Sequence, residues 1–219
     1  MVAPQVNAHY HQHIFSIRVD PMIDGLNNTV VESDVIPLPD APTGSSNNHA
    51  GNAFISADTI LKTETGREYD FIKERRWRII NPSRKHYSSK KEVGYVLGLK
   101  GGITPMMARP DGWASKRAAF TAFPLWVCKD VEGEKGSRMW PSGKYVPQTR
   151  DTPKDSISSW VEGKKNVENE DILVYITIGA SLSFLSAGGV LISVLGTTHI
   201  PRPEDWPVYV LFLRVLSRF

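Results

Sequence analysis

Short runs of alternating or apolar residues, each closed by Gly, Pro, Asn or Asp, recur along most of this sequence. The clearest are HIFSIRVD, NTVVESDVI, NAFISADTILKT, RWRIINP, VGYVLGLKG, TAFPLWVCK and DILVYITIG. Strand-sized runs punctuated by turn residues are typical of antiparallel sheets, and helical periodicity is scarce. The sequence therefore predicts an all-β protein, a β-sandwich, with long polar loops at 39–51 and 147–156.

Composition excludes several classes of protein. The chain has 219 residues and is 41% hydrophobic, enough to form one core. Its formal charge of +3 is dispersed, so no nucleic-acid partner is expected. The one basic stretch, KERRWR at 73–78, includes an acid and precedes Ile79, which favours a solvated strand or turn. The single cysteine, Cys128, cannot form an internal disulfide and is predicted to be buried.

One long segment fits the sheet prediction less well. Residues 172–198 contain no charged side chain, a length that also fits a membrane helix. The first eight are rich in β-branched and aromatic residues, and a Gly-Gly pair lies in the middle. On hydropathy alone, a membrane span and a buried pair of strands remain open. The start of the chain has neither the basic residues nor the apolar core of a signal peptide.

Three of the six histidines, His9, His11 and His13, alternate in the first predicted strand. Side chains two residues apart share a strand face, here with Phe15, so an inward face is expected. Neighbouring members lie about 7 Å apart along the strand and can bind one ion, whereas His9 and His13, roughly 13 Å apart, cannot both do so. Two of the three histidines thus form a candidate pair of metal ligands. The alternative is that they are buried histidines whose ring nitrogens are hydrogen-bonded within the protein.

A third ligand has to come from elsewhere in the sequence. His199 ends the apolar segment, whereas His49 and His86 lie among polar residues. Three imidazoles with open positions suit Cu(II) or Zn(II). A cupin-type oxygenase also begins its site with HxH, but it needs a glutamate a few residues downstream, where this chain has IRV at 17–19.

Motifs spread along nearly the whole chain resemble, in the same order, those of the copper amine oxidases, quinone enzymes that oxidise primary amines to aldehydes. They are HQHIFSIRVDPMIDG at 11–25, GNAF at 51–54, KRAAF at 116–120, LWV at 125–127, MWPSGKYVPQ at 139–148, NVENEDI at 166–172 and TTHIPRPEDWPV at 197–208. The resemblance implies that His11, His13 and His199 bind copper and that His9 does not. It also implies a homodimer with hairpin arms, and a catalytic-domain supersandwich that is incomplete here at its N-terminal side.

The resemblance implies a second, structural cation, often calcium. Asp20 and Asp171 match its carboxylates, and Pro21 and Ile172 match residues that supply backbone carbonyls. Oxygen donors suit such a hard cation. Met22 stands where many members have another aspartate, so a weak or vacant site is expected. Solvation at a turn and a strand end is the alternative for the two aspartates.

The quinone of this family, topaquinone, forms from a tyrosine in an Asn-Tyr-Asp/Glu motif upstream of the HxH strand, and an upstream aspartate serves as the base. None of the seven tyrosines here follows an asparagine. The resemblance therefore assigns copper and an amine-plus-oxygen reaction yielding aldehyde, ammonia and peroxide, but no catalytic residue. These residues alone are expected to be inactive. A non-catalytic metal-binding or dimer-forming fragment is the alternative.

Two segments depart from the family pattern. Relatives run from a strand like ILVYITIG directly into TTH, whereas residues 180–196 intervene here. We interpret them as retained untranslated sequence, with a membrane-seeking segment as the alternative. The tail at 209–219 also diverges, and its last three residues, Ser-Arg-Phe, only loosely resemble a peroxisomal signal. The whole chain, 1–219, is thus predicted to be a partial catalytic domain, cytoplasmic or peroxisomal, with no membrane partner.

Overall fold

Antiparallel strands dominate the computed structural model, which describes residues 11–99, 106–131, 137–146, 149–185 and 189–192. The described helices are α1 (Trp113–Arg117), α2 (Ile157–Trp160) and three single 3-10 turns. The strands are β1 (His11–Val19), β2 (Asn27–Pro37), β3 (Phe54–Ile60), β4 (Thr65–Arg67), β5 (Arg76–Lys85), β6 (Glu92–Leu97), β7 (Leu125–Lys129), β8 (Glu170–Leu185) and β9 (Gly189–Ile192). The predicted all-β class is confirmed.

Strand β8 is the centre of the sheet. The main order is β4-β7-β8-β2-β5-β6, with β1 and β9 joined to β8 and β3 joined to β2. Residues 174–176 of β8 pair with both β1 and β7, so these two strands lie on opposite edges of β8. Because β8 has 16 residues, it also reaches β2 at its start and β9 at its end.

The core has two parts, one on each face of the β7–β8 pair. Leu125 and Val127 of β7 lie in the larger cluster with Trp77, whereas Trp126 and Cys128 lie in the second cluster with Ile157 and Trp160. Strand β8 alternates in the same way. Both faces of this pair are therefore buried, which explains why LWVC and ILVYI read as continuous apolar runs.

Buried acids hold distant segments together. The Glu32 carboxylate, 4% exposed, accepts hydrogen bonds from Arg67 Nε and from the Trp77 indole, both at 2.9 Å. Arg75 forms two 2.8 Å bonds to Asp34. The 73–78 stretch, which leads into β5, is therefore paired with acidic residues of this chain. The predicted solvated strand holds for Arg76 but is wrong for Arg75 and Trp77, because sheet pairing brings Glu32 and Asp34 of β2 beside them.

The segment that also fitted a membrane helix is in strand conformation wherever the structure describes it. Strand β8 continues to Leu185, and β9 turns back so that Ile192 pairs with Leu182. Among the described residues no helix is long and apolar enough to cross a membrane. The pair of strands is therefore the alternative that the described part of this segment adopts. His9, His199 and the 209–219 tail lie outside the described residues.

Candidate metal centres

Strand β1 carries the histidine pair. His11 and His13 lie opposite Leu182 and Ala180 of β8, and the strand alternation puts both on the face of Phe15 and Ile17, as predicted. That face is exposed: His13 is open to solvent, Phe15 is 49% exposed and Ile17 37%. The expected inward burial of this face is therefore wrong within the described structure, where the half-buried face carries Ile14 and Ser16 instead.

The opposite face of β1 is tied to the rest of the fold. Gln12 lies between the two histidines and its Oε1 accepts a 2.8 Å hydrogen bond from the Met107 backbone N–H. Gln12 therefore faces the 106–131 segment, and His13, the next residue of the strand, faces away from it. Two imidazoles at i and i+2 on an accessible strand face fit a shared metal ion. The three-histidine set itself stays a prediction, because His199 lies outside the described residues.

Three carboxylates converge near the other end of β1. Asp20, Asp130 and Asp171 each offer an oxygen atom, and these atoms lie within 4.8 Å of one another. Asp20 is exposed and the other two are half-buried. Two of the three, Asp20 and Asp171, are the carboxylates that the sequence analysis assigned to a second cation.

Three adjacent strands bring these carboxylates together. Asp20 comes directly after β1, Asp130 comes directly after β7, and Asp171 lies in β8 between those strands. The backbone N–H of Asp130 donates a 2.8 Å bond to the Asp171 carbonyl, which fixes their register. Asp130 was not predicted from the sequence. The sequence does contain a signal for it: Asp130 directly follows the strand LWVCK, just as Asp20 directly follows β1.

The cluster has the chemistry of a hard-cation site. Three like charges this close repel one another, and a divalent cation with oxygen ligands relieves that repulsion. Arg18 neutralises part of it, since its Nη2 donates a 3.2 Å bond to Asp20. Met22 is 66% exposed and provides no carboxylate, so Asp130 is the third acid here. Pro21 and Ile172, both buried, lie next to two of the acids.

Comparisons with known proteins identify the family to which this chain is similar. The sequence profile of the family described as copper amine oxidase, enzyme domain, matches residues 1–181. Copper amine oxidase 1 of Schizosaccharomyces pombe is 38% identical over 94% of this chain and 26% of its own length. Peroxisomal primary amine oxidase of Pichia angusta is 34% identical over 94% of this chain and 27% of its own length.

A solved structure gives the same result for the fold. The crystal structure of a copper-containing benzylamine oxidase from Hansenula polymorpha matches with a TM-score of 0.68 and 28% identity, over 91% of this chain and 27% of that one. The chain therefore spans about a quarter of the length of these relatives. The order of the strands, the HxH pair on β1 and the match over most of the sequence lead to one conclusion: the chain belongs to the copper amine oxidase family, as part of the enzyme domain.

Proposed function

We propose that this chain is the copper-binding part of a copper- and quinone-dependent amine oxidase that oxidises primary amines to aldehydes, with oxygen as the second substrate and ammonia and hydrogen peroxide as products. The observation that carries the proposal is the HxH pair on one accessible face of β1, within a family match covering residues 1–181. Copper and topaquinone, when bound, supply the redox chemistry. The names of the relatives, which include primary amine and benzylamine oxidases, support the substrate class.

The residues of this chain have a binding and positioning role in that proposal. His11 and His13 hold the metal from β1, and His199 completes the set. The β1–β8 pairing, together with the bond from Met107 to Gln12, fixes the orientation of the strand. No tyrosine of this sequence follows an asparagine, so the quinone precursor and the base belong to the remainder of the enzyme, and these residues alone are inactive.

Copper retention tests the ligand set without relying on turnover. The domain is expressed together with the upstream half of a catalytic domain like that of its relatives, and with residues 180–196 removed. We expect His11→Ala and His13→Ala each to lose copper by elemental analysis and to lose the quinone by redox staining, because two imidazoles cannot complete the site. His9→Ala is the matched control and keeps both. Copper loss in His9→Ala, or retention in both of the other variants, contradicts the assignment.

The acidic cluster supports a second cation site with a ligand set of its own. Asp20, Asp130 and Asp171 bind the ion, calcium being the best fit, and the backbone carbonyls of Pro21 and Ile172 add oxygen ligands. In this proposal Asp130 replaces the carboxylate that Met22 does not provide. The ion joins the ends of β1 and β7 to β8, so that it stabilises the strand that carries the histidines.

Calcium-dependent stability of the chain tests this second site. At a calcium concentration of about 100 times Kd, binding stabilises the folded state by about 2.7 kcal/mol, measured as a rise in the melting temperature. Asp130→Asn abolishes the rise because it removes one anionic ligand. Asp151→Asn, an exposed acid of the 149–156 loop, leaves it unchanged. Equal rises in both variants contradict a site at the cluster.

The second candidate function is that of a non-catalytic metal-binding or dimer-forming fragment. The acidic cluster, assembled wholly within this chain, favours metal binding. The β2–β3 hairpin favours pairing with a second copy, because β3 is exposed along most of its length and Phe54 is 71% exposed. Light scattering of the purified chain separates a homodimer from a monomer. An amine-dependent peroxide assay with a quinone stain separates this fragment from an active oxidase.

An intracellular location accompanies the oxidase proposal. Two relatives are named as peroxisomal enzymes, and those names support a peroxisomal or cytoplasmic location here. Fusing a fluorescent protein to the N-terminus leaves the C-terminal Ser-Arg-Phe available to an import receptor. Punctate fluorescence that becomes diffuse on deletion of these three residues assigns the peroxisome, and diffuse fluorescence in both assigns the cytoplasm.

A further inference from the structure

Arg117 differs from the other arginines that the described structure shelters from solvent. Each of the other half-buried or buried arginines is paired with a carboxylate: Arg18 with Asp20, Arg67 with Glu32, Arg75 with Asp34, Arg78 with Asp58 and Arg138 with Glu64. Within the described residues Arg117 has no such partner, and its Nε is buried without a hydrogen bond. Its guanidinium instead lies over the Trp113 ring, 5.5 Å from the centroid.

This arrangement favours an anionic ligand. Among the described residues the Arg117 guanidinium carries its charge without a carboxylate partner, and an oxyanion bound beside it supplies one. The planar fork of arginine matches the two oxygen atoms of a carboxylate or a phosphate, and stacking on an aromatic ring holds the fork in place. Arg117 is thus preorganised to bind an oxyanion.

An open cavity lies in front of this guanidinium. It is lined by Trp113, Ala114, Arg117, Ala118, Ser142 and Val146. None of these lining residues is acidic, and the nearest acid in the sequence, Asp111, accepts a 3.1 Å bond from Arg109. Trp113 and Arg117 are four residues apart on α1, so they project from the same side of that helix.

Ser142, which lines the cavity, precedes a glycine in a turn that requires it. Gly143 has φ +92°, and an added Cβ would lie 2.0 Å from the Asp155 carbonyl oxygen. The backbone N–H of Gly143 also donates a 2.8 Å bond to the Trp140 carbonyl. The turn therefore keeps Ser142 at the cavity, where its hydroxyl offers a further donor.

We propose that this cavity is an oxyanion site. Arg117 donates two N–H groups to a small carboxylate or phosphate, Ser142 donates its hydroxyl, and Trp113 shields the guanidinium from water. The site does not include the copper centre, so it is tested independently of the proposed oxidase function.

Anion titrations of the purified chain test the site by nuclear magnetic resonance. Sodium acetate and sodium phosphate are added separately at constant ionic strength, with sodium chloride as the balancing salt. We expect the Arg117 Nε–H signal and the backbone amides of Ala118 and Ser142 to shift and saturate with one or both anions. Saturation with phosphate alone assigns a phosphate site, and saturation with acetate alone assigns a carboxylate site.

Three variants separate this site from general charge effects. Arg117→Gln weakens binding, followed at the two amides, by about tenfold or more because it removes the charged fork, and Arg117→Lys weakens it less. Arg84→Gln, which removes an exposed arginine, leaves the affinity within about twofold. Equal affinity in Arg117→Gln and Arg84→Gln overturns the proposal. So does the absence of any saturable shift in the unmodified chain, the result expected if a carboxylate of another protein segment occupies the cavity.

Discussion

Strands β7 and β1 flank the same stretch of β8, yet they are in different environments. Leu125 of β7 and Ile17 of β1 both pair with Ile176, one on each side. Leu125 is fully buried, whereas Ile17 is 37% exposed. The described residues complete the packing around β7 and leave one face of β1 open. Strand β7, which is buried in the core, is thus distinct from strand β1, which carries the histidines.

Within one sheet, the β7 side contributes buried contacts, whereas the histidine face of β1 contributes few. On the β7 side, the Arg138–Glu64 ion pair and two clusters of apolar side chains are buried within this chain. The histidine face of β1 presents His13 with Phe15 and Ile17 to solvent. In a chain that spans about a quarter of the length of its relatives, that face is available to the remainder of the enzyme.

The largest expected effect comes from the buried ion pair on the β7 side. Arg138 Nη1 donates a 2.9 Å bond to Glu64, and both side chains are at most 7% exposed. We expect Arg138→Ala to cost about 3–5 kcal/mol in the free energy of unfolding, because the Glu64 charge stays buried without its partner. Arg76→Ala, which breaks the exposed pair with Glu74, is the control and costs about 1 kcal/mol or less. Urea denaturation measures both, and equal costs contradict the comparison.

Truncation of the two residues that flank Ile176 tests the packing directly. We expect Leu125→Ala to cost about 2–5 kcal/mol, because it leaves a cavity in the larger core cluster. Ile17→Ala removes a similar side chain from an exposed face and is expected to cost about 1 kcal/mol. Urea denaturation at neutral pH measures the pair. A cost for Ile17→Ala as large as that for Leu125→Ala means that β1 contributes to the core as β7 does.

A smaller effect is expected from the thiol of β7. Burial raises the pKa of Cys128 from 9.0 to about 12. Because the folded pKa is the higher one, this contribution to stability is present below pH 9 and is lost as the pH rises towards 12. The expected loss between pH 8 and pH 10 is about 1.4 kcal/mol. Between pH 8 and pH 10, we expect the free energy of unfolding of Cys128→Ala to fall by about 1.4 kcal/mol less than that of the unmodified chain. Urea denaturation at both pH values measures the two losses. Identical losses contradict burial of the thiol.

The sequence predicted those parts of the molecule that depend on local pattern. Alternation and turn residues located the strands, and the continuous apolar runs marked the buried β7–β8 pair. The HxH spacing placed His11 and His13 on one face because strand alternation is a local property. The exposure of that face was not predictable, since burial depends on which elements cover a strand and not on the residues of the strand itself.

Long-range pairing explains what the sequence left hidden. Asp130 joins Asp20 and Asp171 only because β7 and β1 lie on opposite edges of β8, a register that a pattern of residues does not specify. Glu64 is a similar case: its carboxylate accepts bonds from the backbone N–H groups of Lys129 and Lys165, at 3.1 and 3.2 Å. Nothing in the sequence around Glu64 distinguishes it from a surface acid.

The β1–β8 pairing has a consequence for biosynthesis. Ile17 pairs with Ile176, so the histidine strand cannot join the sheet until β8 has emerged from the ribosome. Until then β1 is a strand with unpaired edges, the kind of segment that associates with other chains. In the proposed oxidase, copper therefore binds after the sheet is complete, and chaperones are the proteins suited to shield β1 during translation.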